Sequence, residues 1–521
     1  MNEFDTDSPG EDLSGRSSLL RNVVVSWASQ FLVIITGFFL PRVLDEQLGQ
    51  ATVGIWDFSW SLVSYLTLTQ FGVASSLSRF VANYRAEGDN ERLVTAVSTV
   101  TVLQIALSGL ILLVVGCLYF AIPWFAGDKL GEQVEVARVT FALLGSSIAV
   151  QFMFDTSRGV LTGTHRWDLY TGLYSGAQLV AVILMIGSVY QGYGLTAVAA
   201  VYFVAIAVEN LIRFFVARRI CPEARFRRGA FSWTFLKEIF TFGIKGFTMG
   251  MAPVLVIQTT SVMIASLLGP AALAIFSRPS SLIRYVQTFV TRFAFMLTPM
   301  VGPILLEEGG EGLRKFTVEC SRFGMAFTLP VVALFSLFGD EVIYVWMGED
   351  YMNSALVTIL GLGFLLPFAQ APTTRILVGM DKHGVPAVFS VAASAILLIL
   401  GSSLIYQTGP TLEKFALMIV TITTFINGLV IPAYACIKMD LPIGRYCREA
   451  YSRVITICAA PLAAVWLLDT YFQFRSWTII VPCGIFLVLV VAGYWKWLLS
   501  DGHREMLLDR IRGTDADAKV W

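Results

Sequence analysis

Apolar residues in this chain come in blocks long enough to cross a bilayer, and such blocks recur along almost its whole length. A helix rises about 1.5 Å per residue, so about twenty apolar residues traverse about 30 Å of hydrocarbon. Fourteen candidate spans meet that length, at about 22–42, 53–79, 95–122, 138–161, 169–190, 194–217, 240–267, 272–301, 318–339, 355–379, 385–406, 414–437, 451–470 and 477–499. Several exceed the minimum, which tilt or a projecting stub accommodates. With 56% hydrophobic and only 14% charged residues, the blocks are not amphipathic stripes. The expected fold class is an all-α polytopic membrane protein.

The loops reach only about twenty residues, which leaves no room for a soluble catalytic domain, so an enzyme is not expected. Net charge is zero and no long basic run occurs, which argues against a nucleic-acid partner. The seven cysteines form no CxxC or Cys/His cluster, so no disulfide framework, metal site or cofactor is expected. The polar, acidic start MNEFDTDSPGEDLSG is unlike a signal peptide, and the first span is expected to be retained. Lys and Arg concentrate on alternate loops: Arg85 and Arg92, Arg166, the cluster ARRICPEARFRRG at 217–229, Arg314 and Lys315, Lys382, and Lys438, Arg445 and Arg448. The other loops offer little beyond Lys129, Lys414 and Arg475. The positive-inside rule then places both termini in the cytoplasm.

An internal repeat organises the chain. LGQATVGIWDFSWSLVSYL from Leu48 aligns without a gap with LGPAALAIFSRPSSLIRYV from Leu268, an offset of 220. EGDNERL at Glu87 meets EGGEGLRK at Glu308, and TSRGVLTG at Thr156 meets TTRILVG at Thr373. Three matches in order indicate a duplication: two pseudo-symmetric six-helix bundles in one orientation, then a C-terminal helix pair. The expected divisions are a cytoplasmic tail (1–21), a first lobe (22–217), a basic linker (218–236), a second lobe (237–438), spans 13 and 14 (439–500) and a tail (501–521) with a short surface helix. Parallel repeats characterise transporters that bind substrate between their halves near the bilayer midplane.

The stretch NVVVSWASQFLVIITGFFLPRVL and its sequel LGQATVGIWDFSWSLVSYLTLTQFGVASSLSRFVANYRAEGD resemble the polysaccharide-transporter (O-antigen/oligosaccharide flippase-like) branch of the multidrug/oligosaccharidyl-lipid/polysaccharide flippase superfamily. About sixty residues carry the resemblance strongly, the rest only through span layout. It implies a flippase moving polyprenyl-diphosphate-linked oligosaccharide across the bacterial cytoplasmic (inner) membrane for surface polysaccharide synthesis. Implied partners are that lipid-linked oligosaccharide, membrane lipids, a proton or sodium gradient and the polysaccharide assembly machinery. Fourteen spans rather than about twelve looks like branches such as the lipid II flippase, where the extra pair is associated with the lipid tail. A multidrug/cation antiporter of the same superfamily is the alternative, ahead of a membrane glycosyltransferase or a polysaccharide polymerase or ligase.

Charges inside the spans are the candidate site. Arg278, Arg284 and Arg292 fall within about a third of the circumference of one helix at about 100° per residue. Cations there normally face protein or a wet cavity, and guanidinium forks match phosphate oxygens. Alternatively, Arg278 and Arg292 snorkel to opposite interfaces. Lys245 is a second candidate for the anionic headgroup, or reaches the cytoplasmic interface. Arg158 and Arg375, repeat-related, frame the inner mouth or are ordinary anchors. Asp155 can pair with Arg158 and Glu209 with Arg213, at i,i+3 and i,i+4. Asp57, between Trp56 and Trp60, has no such local partner and is the candidate for ion coupling, or an interfacial hydrogen-bonding residue. Prolines crowd residues 237–438, and Pro253 and Pro279 are candidate hinges, or static kinks.

Overall fold

Backbone groups in hydrocarbon must find partners within the chain, and helices do this segment by segment. The computed structural model describes residues 16–70 and 73–512, and among them every regular element is helical. In chain order these are α1 (Arg16–Leu48), α2 (Gln50–Leu66), α3 (Val73–Glu87), α4 (Asn90–Leu130), α5 (Val134–Phe154), α6 (Thr156–Gly163), α7 (Trp167–Tyr190) and α8 (Leu195–Ile220). Then follow α9 (Trp233–Leu267), α10 (Pro270–Phe295), α11 (Val301–Glu307), α12 (Gly309–Met347), α13 (Ser354–Ala369), α14 (Ala371–Gly379), α15 (Gly384–Thr408) and α16 (Leu412–Thr423). The last are α17 (Ile431–Lys438), α18 (Ile443–Cys447), α19 (Arg453–Phe472), α20 (Ile480–Gly493) and α21 (Asp501–Arg512).

Among the described residues, twelve helical segments are long and apolar enough to cross a membrane, against fourteen expected. The difference lies in two places. Residues 90–154 form one run that contains two expected spans, α4 and α5, turned at Gly131. The expected span 53–79 is broken after Leu66 by a 3₁₀ turn at Thr67–Gln70. There the Thr67 and Thr69 hydroxyls each donate to the backbone, at Ser64 O and Leu66 O, both 2.7 Å. Such local bonds compete with the helical pattern.

The duplication reappears in the backbone. Positive φ, which favours residues without a Cβ, recurs at paired positions: Gly49 (83°) and Gly269 (98°), Gly88 (70°) and Gly309 (69°), Gly131 (55°) and Gly348 (100°), His165 (57°) and Asp381 (53°), Gly192 (85°) and Gly409 (84°). These are the five helix-to-helix connections inside each copy. Close packing repeats too. A Cβ on Gly163 would sit 2.6 Å from Ser78 O and 2.7 Å from Val81 Cβ; on Gly379 it would sit 2.7 Å from both Thr298 O and Val301 Cβ. Ser78 and Thr298, like Val81 and Val301, stand 220 residues apart.

By packing, the chain forms two compact units, Met1–Ala274 and Ile275–Trp521. In the first, α4 packs on α5, α5 on α8, and α1 and α8 on α7, while α9 packs on α2, α3 and α4. The repeat opens its second copy near α9, so copy and packing unit are different divisions. In the second unit, α12 packs on α13 and α19, and α13 on α16. π-helical turns at Thr424–Val430, Arg448–Ser452 and Tyr494–Leu498 all fall in this unit.

Candidate functional site

Three sequence candidates share α10, which continues through Pro279. Pro279 cannot donate to the carbonyl four residues back, but the flanking serine hydroxyls occupy neighbouring carbonyls. Ser280 Oγ donates to Phe276 O at 2.8 Å and Ser281 Oγ to Ser277 O at 2.7 Å. Arg278 is 2% exposed, its guanidinium 5.7 Å from the Trp346 ring. Arg284 is exposed and donates from Nη2 to Ser281 Oγ at 2.6 Å. Arg292 is half-buried in the last turn. The three thus differ in depth within the protein. At the position of Arg278 the first copy carries Phe58, fully buried against Phe125 at 6.3 Å between ring centres. Lys245 lies on α9, as does Pro253, which leaves that helix unbroken; the Lys245 side chain lies outside the described residues. Asp57 is half-buried on α2, beside an edge-to-face pair of Trp56 and Trp60.

The repeat-related arginines occupy matching places with different company. Thr156 Oγ1 lies 3.1 Å from Thr101 Oγ1, and Thr373 Oγ1 lies 3.1 Å from Ser321 Oγ. Arg158, two residues after Thr156, forms an ion pair of 2.9 Å with Asp155. Arg375, two residues after Thr373, has no such pair among the described residues; its guanidinium lies 4.6 Å from the Phe295 ring.

Behind each threonine is a polar network that sequence reasoning resolved only in part. In the first unit Arg213, 4% exposed, sits 3.4 Å from the Glu209 carboxylate, donates to Ser157 Oγ at 3.2 Å and to Asn210 Oδ1, and lies 5.7 Å from the Tyr170 ring. The i,i+4 pair was legible, but Ser157, Asn210 and Tyr170 were not; Asn210, polar inside an apolar helix, was the available signal. In the second unit the network is uncharged. The Tyr446 hydroxyl lies 2.8 Å from Ser321 Oγ, 2.7 Å from Gln370 Oε1 and 3.1 Å from Thr373 Oγ1.

Two grooves complete the picture. One, of about 650 Å³, runs between α7 and α8 past Gly172, Gly176, Ala200 and Val204 and reaches Glu209. The other, of about 840 Å³, runs between α19 and α20 past Ile457, Ala460, Pro461, Leu489 and Trp497, and carries Ser452, Arg453 and Thr456 at one end. The first is apolar with a carboxylate at its margin; the second is apolar with a guanidinium at its end.

Comparison with known proteins agrees with this architecture. Stage V sporulation protein B of Bacillus subtilis (strain 168) is 22% identical over 483 residues, covering 86% of this chain and 90% of its own. The solved structure of the lipid II flippase MurJ in an inward closed conformation matches with a TM-score of 0.68 at 13% identity, covering 92% of this chain and 100% of its own. An inward-facing multidrug resistance MATE family transporter of the MOP superfamily matches with a TM-score of 0.65 at 17% identity, covering 81% and 98%. At such identities the structures establish likeness of fold. A family model described as "Polysaccharide biosynthesis protein" matches residues 19–304, more than half of the chain. The chain is therefore a multi-pass membrane protein that belongs to the polysaccharide biosynthesis protein family.

Proposed function

We propose that the protein flips a polyprenyl-diphosphate-linked oligosaccharide across the bacterial inner membrane by alternating access, with both termini in the cytoplasm and no catalysis of its own. The groove between α19 and α20 carries this reading. A prenyl chain needs a long apolar trough and the diphosphate at its end needs cations, and here Ile457, Ala460 and Leu489 line the trough while Arg453 stands at its end. Arg284, Arg278, Arg292, Lys245, Arg158 and Arg375 are the proposed cationic partners of the diphosphate as the headgroup moves. Asp57 is the proposed site of coupling to a proton or sodium gradient, and Pro253 and Pro279 the proposed bending points. Any handover to the polysaccharide assembly machinery follows release of the headgroup.

The test is a proteoliposome assay with a fluorescent prenyl-diphosphate-linked oligosaccharide, scored by quenching of the outer leaflet. Wild type should move the label across, and Ala460→Trp, which fills the trough, should slow it at least tenfold with unchanged reconstitution. Wild-type vesicles that leave the label in place but expel a lipophilic cation would replace the flippase with the multidrug/cation antiporter.

A further inference from the structure

The segment between α8 and α9 reads in sequence as a tether, yet it is a docked platform. Cys221 and Ala224 are buried in the same core as Leu77, Val81, Leu93 and Val97 of α3 and α4, and Ala230 is buried as well. Burial raises the Cys221 thiol above its ordinary pKa, so it acts as a wedge rather than a nucleophile. Two hydroxyls of α4 hold the segment's backbone: the Arg227 N–H donates to Ser98 Oγ at 2.9 Å and the Ser232 N–H to Thr99 Oγ1 at 3.0 Å. Turns close between Ala224 N and Cys221 O (3.1 Å) and between Ala230 N and Arg227 O (3.1 Å). Gly229, at φ 91°, lets the chain reverse.

With its small residues turned in, the platform turns its cations out. Arg218, Arg219, Arg225, Arg227 and Arg228 are all exposed, and none has an ion pair among the described residues. Glu223 is the one acidic residue among them, and it accepts from Cys221 Sγ at 3.5 Å. Large aromatic rings stand nearby: Phe226 is exposed, and Trp233, 69% exposed, pairs edge-to-face with Phe231 at 5.1 Å. Arginines beside exposed tryptophan at the end of a span match the headgroup layer of a bilayer, where phosphodiesters meet the first methylenes.

We infer that residues 218–233 form a preorganised binding surface for anionic phospholipid headgroups. Its backbone is already ordered, so lipid binding need not order a loop, and several guanidinium groups engage phosphates at once. The surface shares no residue with the groove at α19 and α20 and does not depend on the identity of the transported lipid.

The full-length protein in detergent is titrated with phosphatidylglycerol or phosphatidylcholine and read by native mass spectrometry. Wild type should retain phosphatidylglycerol preferentially. At about 1 kcal/mol per arginine near a charged surface, R225Q/R227Q/R228Q should weaken that retention on the order of 100-fold. The lysine triple at the same positions should keep most of it. S98A/T99A leaves every charge in place but frees the backbone, and should lose several-fold. K315Q, at an exposed lysine paired with Glu311 at 3.1 Å, is the control and should change nothing. Equal retention of both lipids by wild type, or full retention by the glutamine triple, overturns the proposal. So does a surface that takes prenyl diphosphate but not phosphatidylglycerol, which would assign it to the substrate, or loss in K315Q equal to the triple's.

Discussion

The two units each hold most of one copy of the repeated backbone plan and differ in the company they give its charges. In the first, the arginines that lie deep are matched with carboxylates: Arg158 with Asp155 and Arg213 with Glu209. In the second, Arg375 at the place of Arg158 faces a phenylalanine ring, and the network behind it is made of hydroxyls and an amide. The grooves follow the same division, with Glu209 at the margin of one and Arg453 at the end of the other. Duplication supplied two copies of one scaffold, and at the place of Arg158 and Arg375 the first holds an arginine against a carboxylate while the second holds one against an aromatic ring. Helical regularity divides the same way, since the π-helical turns and most prolines fall in the second unit.

The largest expected effect tests the self-pairing of the first unit. Arg213→Ala leaves the Glu209 carboxylate buried without its counter-ion and should destabilise by about 3–5 kcal/mol, whereas Arg375→Ala should cost under about 1 kcal/mol. Thermal unfolding in detergent, followed by tryptophan fluorescence, compares the two; equal losses would erase the distinction. Next, Arg284→Ala should slow flipping about 100-fold through loss of a charged hydrogen-bond donor, while membrane insertion stays normal. Unchanged export would remove Arg284 from the site. The likeness of the copies is tested more gently. Gly163→Ala and Gly379→Ala each push a methyl group against a backbone carbonyl, and each should cost about 1–3 kcal/mol. Smallest are Gly88→Ala and Gly309→Ala, at φ 70° and 69°, which should each cost about 1 kcal/mol in unfolding. A large asymmetry within either glycine pair would break the equivalence of the copies.

Much of this was legible in the sequence because membrane helices announce themselves by length and a duplication by matched segments. The pairs LGQ/LGP and EGD/EGG mark turns whose positive-φ residues coincide in the fold, and TSRG/TTRI lies in the short helices α6 and α14 that run into His165 and Asp381. The depth of individual charges was not legible. In a helix apolar on every side, periodicity does not say which face meets protein, so the contrast between buried Arg278 and exposed Arg284 needed coordinates. The break after Leu66 was hidden because threonines count as mild residues on any apolar scale, while their hydroxyls compete for helical carbonyls. The docking of 218–233 was hidden because small residues such as Cys221 and Ala224 carry little hydrophobic signal between arginines.

The helix that opens the second copy, α9, packs on α2, α3 and α4. Ancestry and mechanics therefore part company within this chain. A peptide tag spliced into 218–236 would load a single packing unit, because both its flanks, α8 and α9, belong to that unit. The seam at which one body gives way to the next lies further on, inside α10, four residues ahead of Arg278.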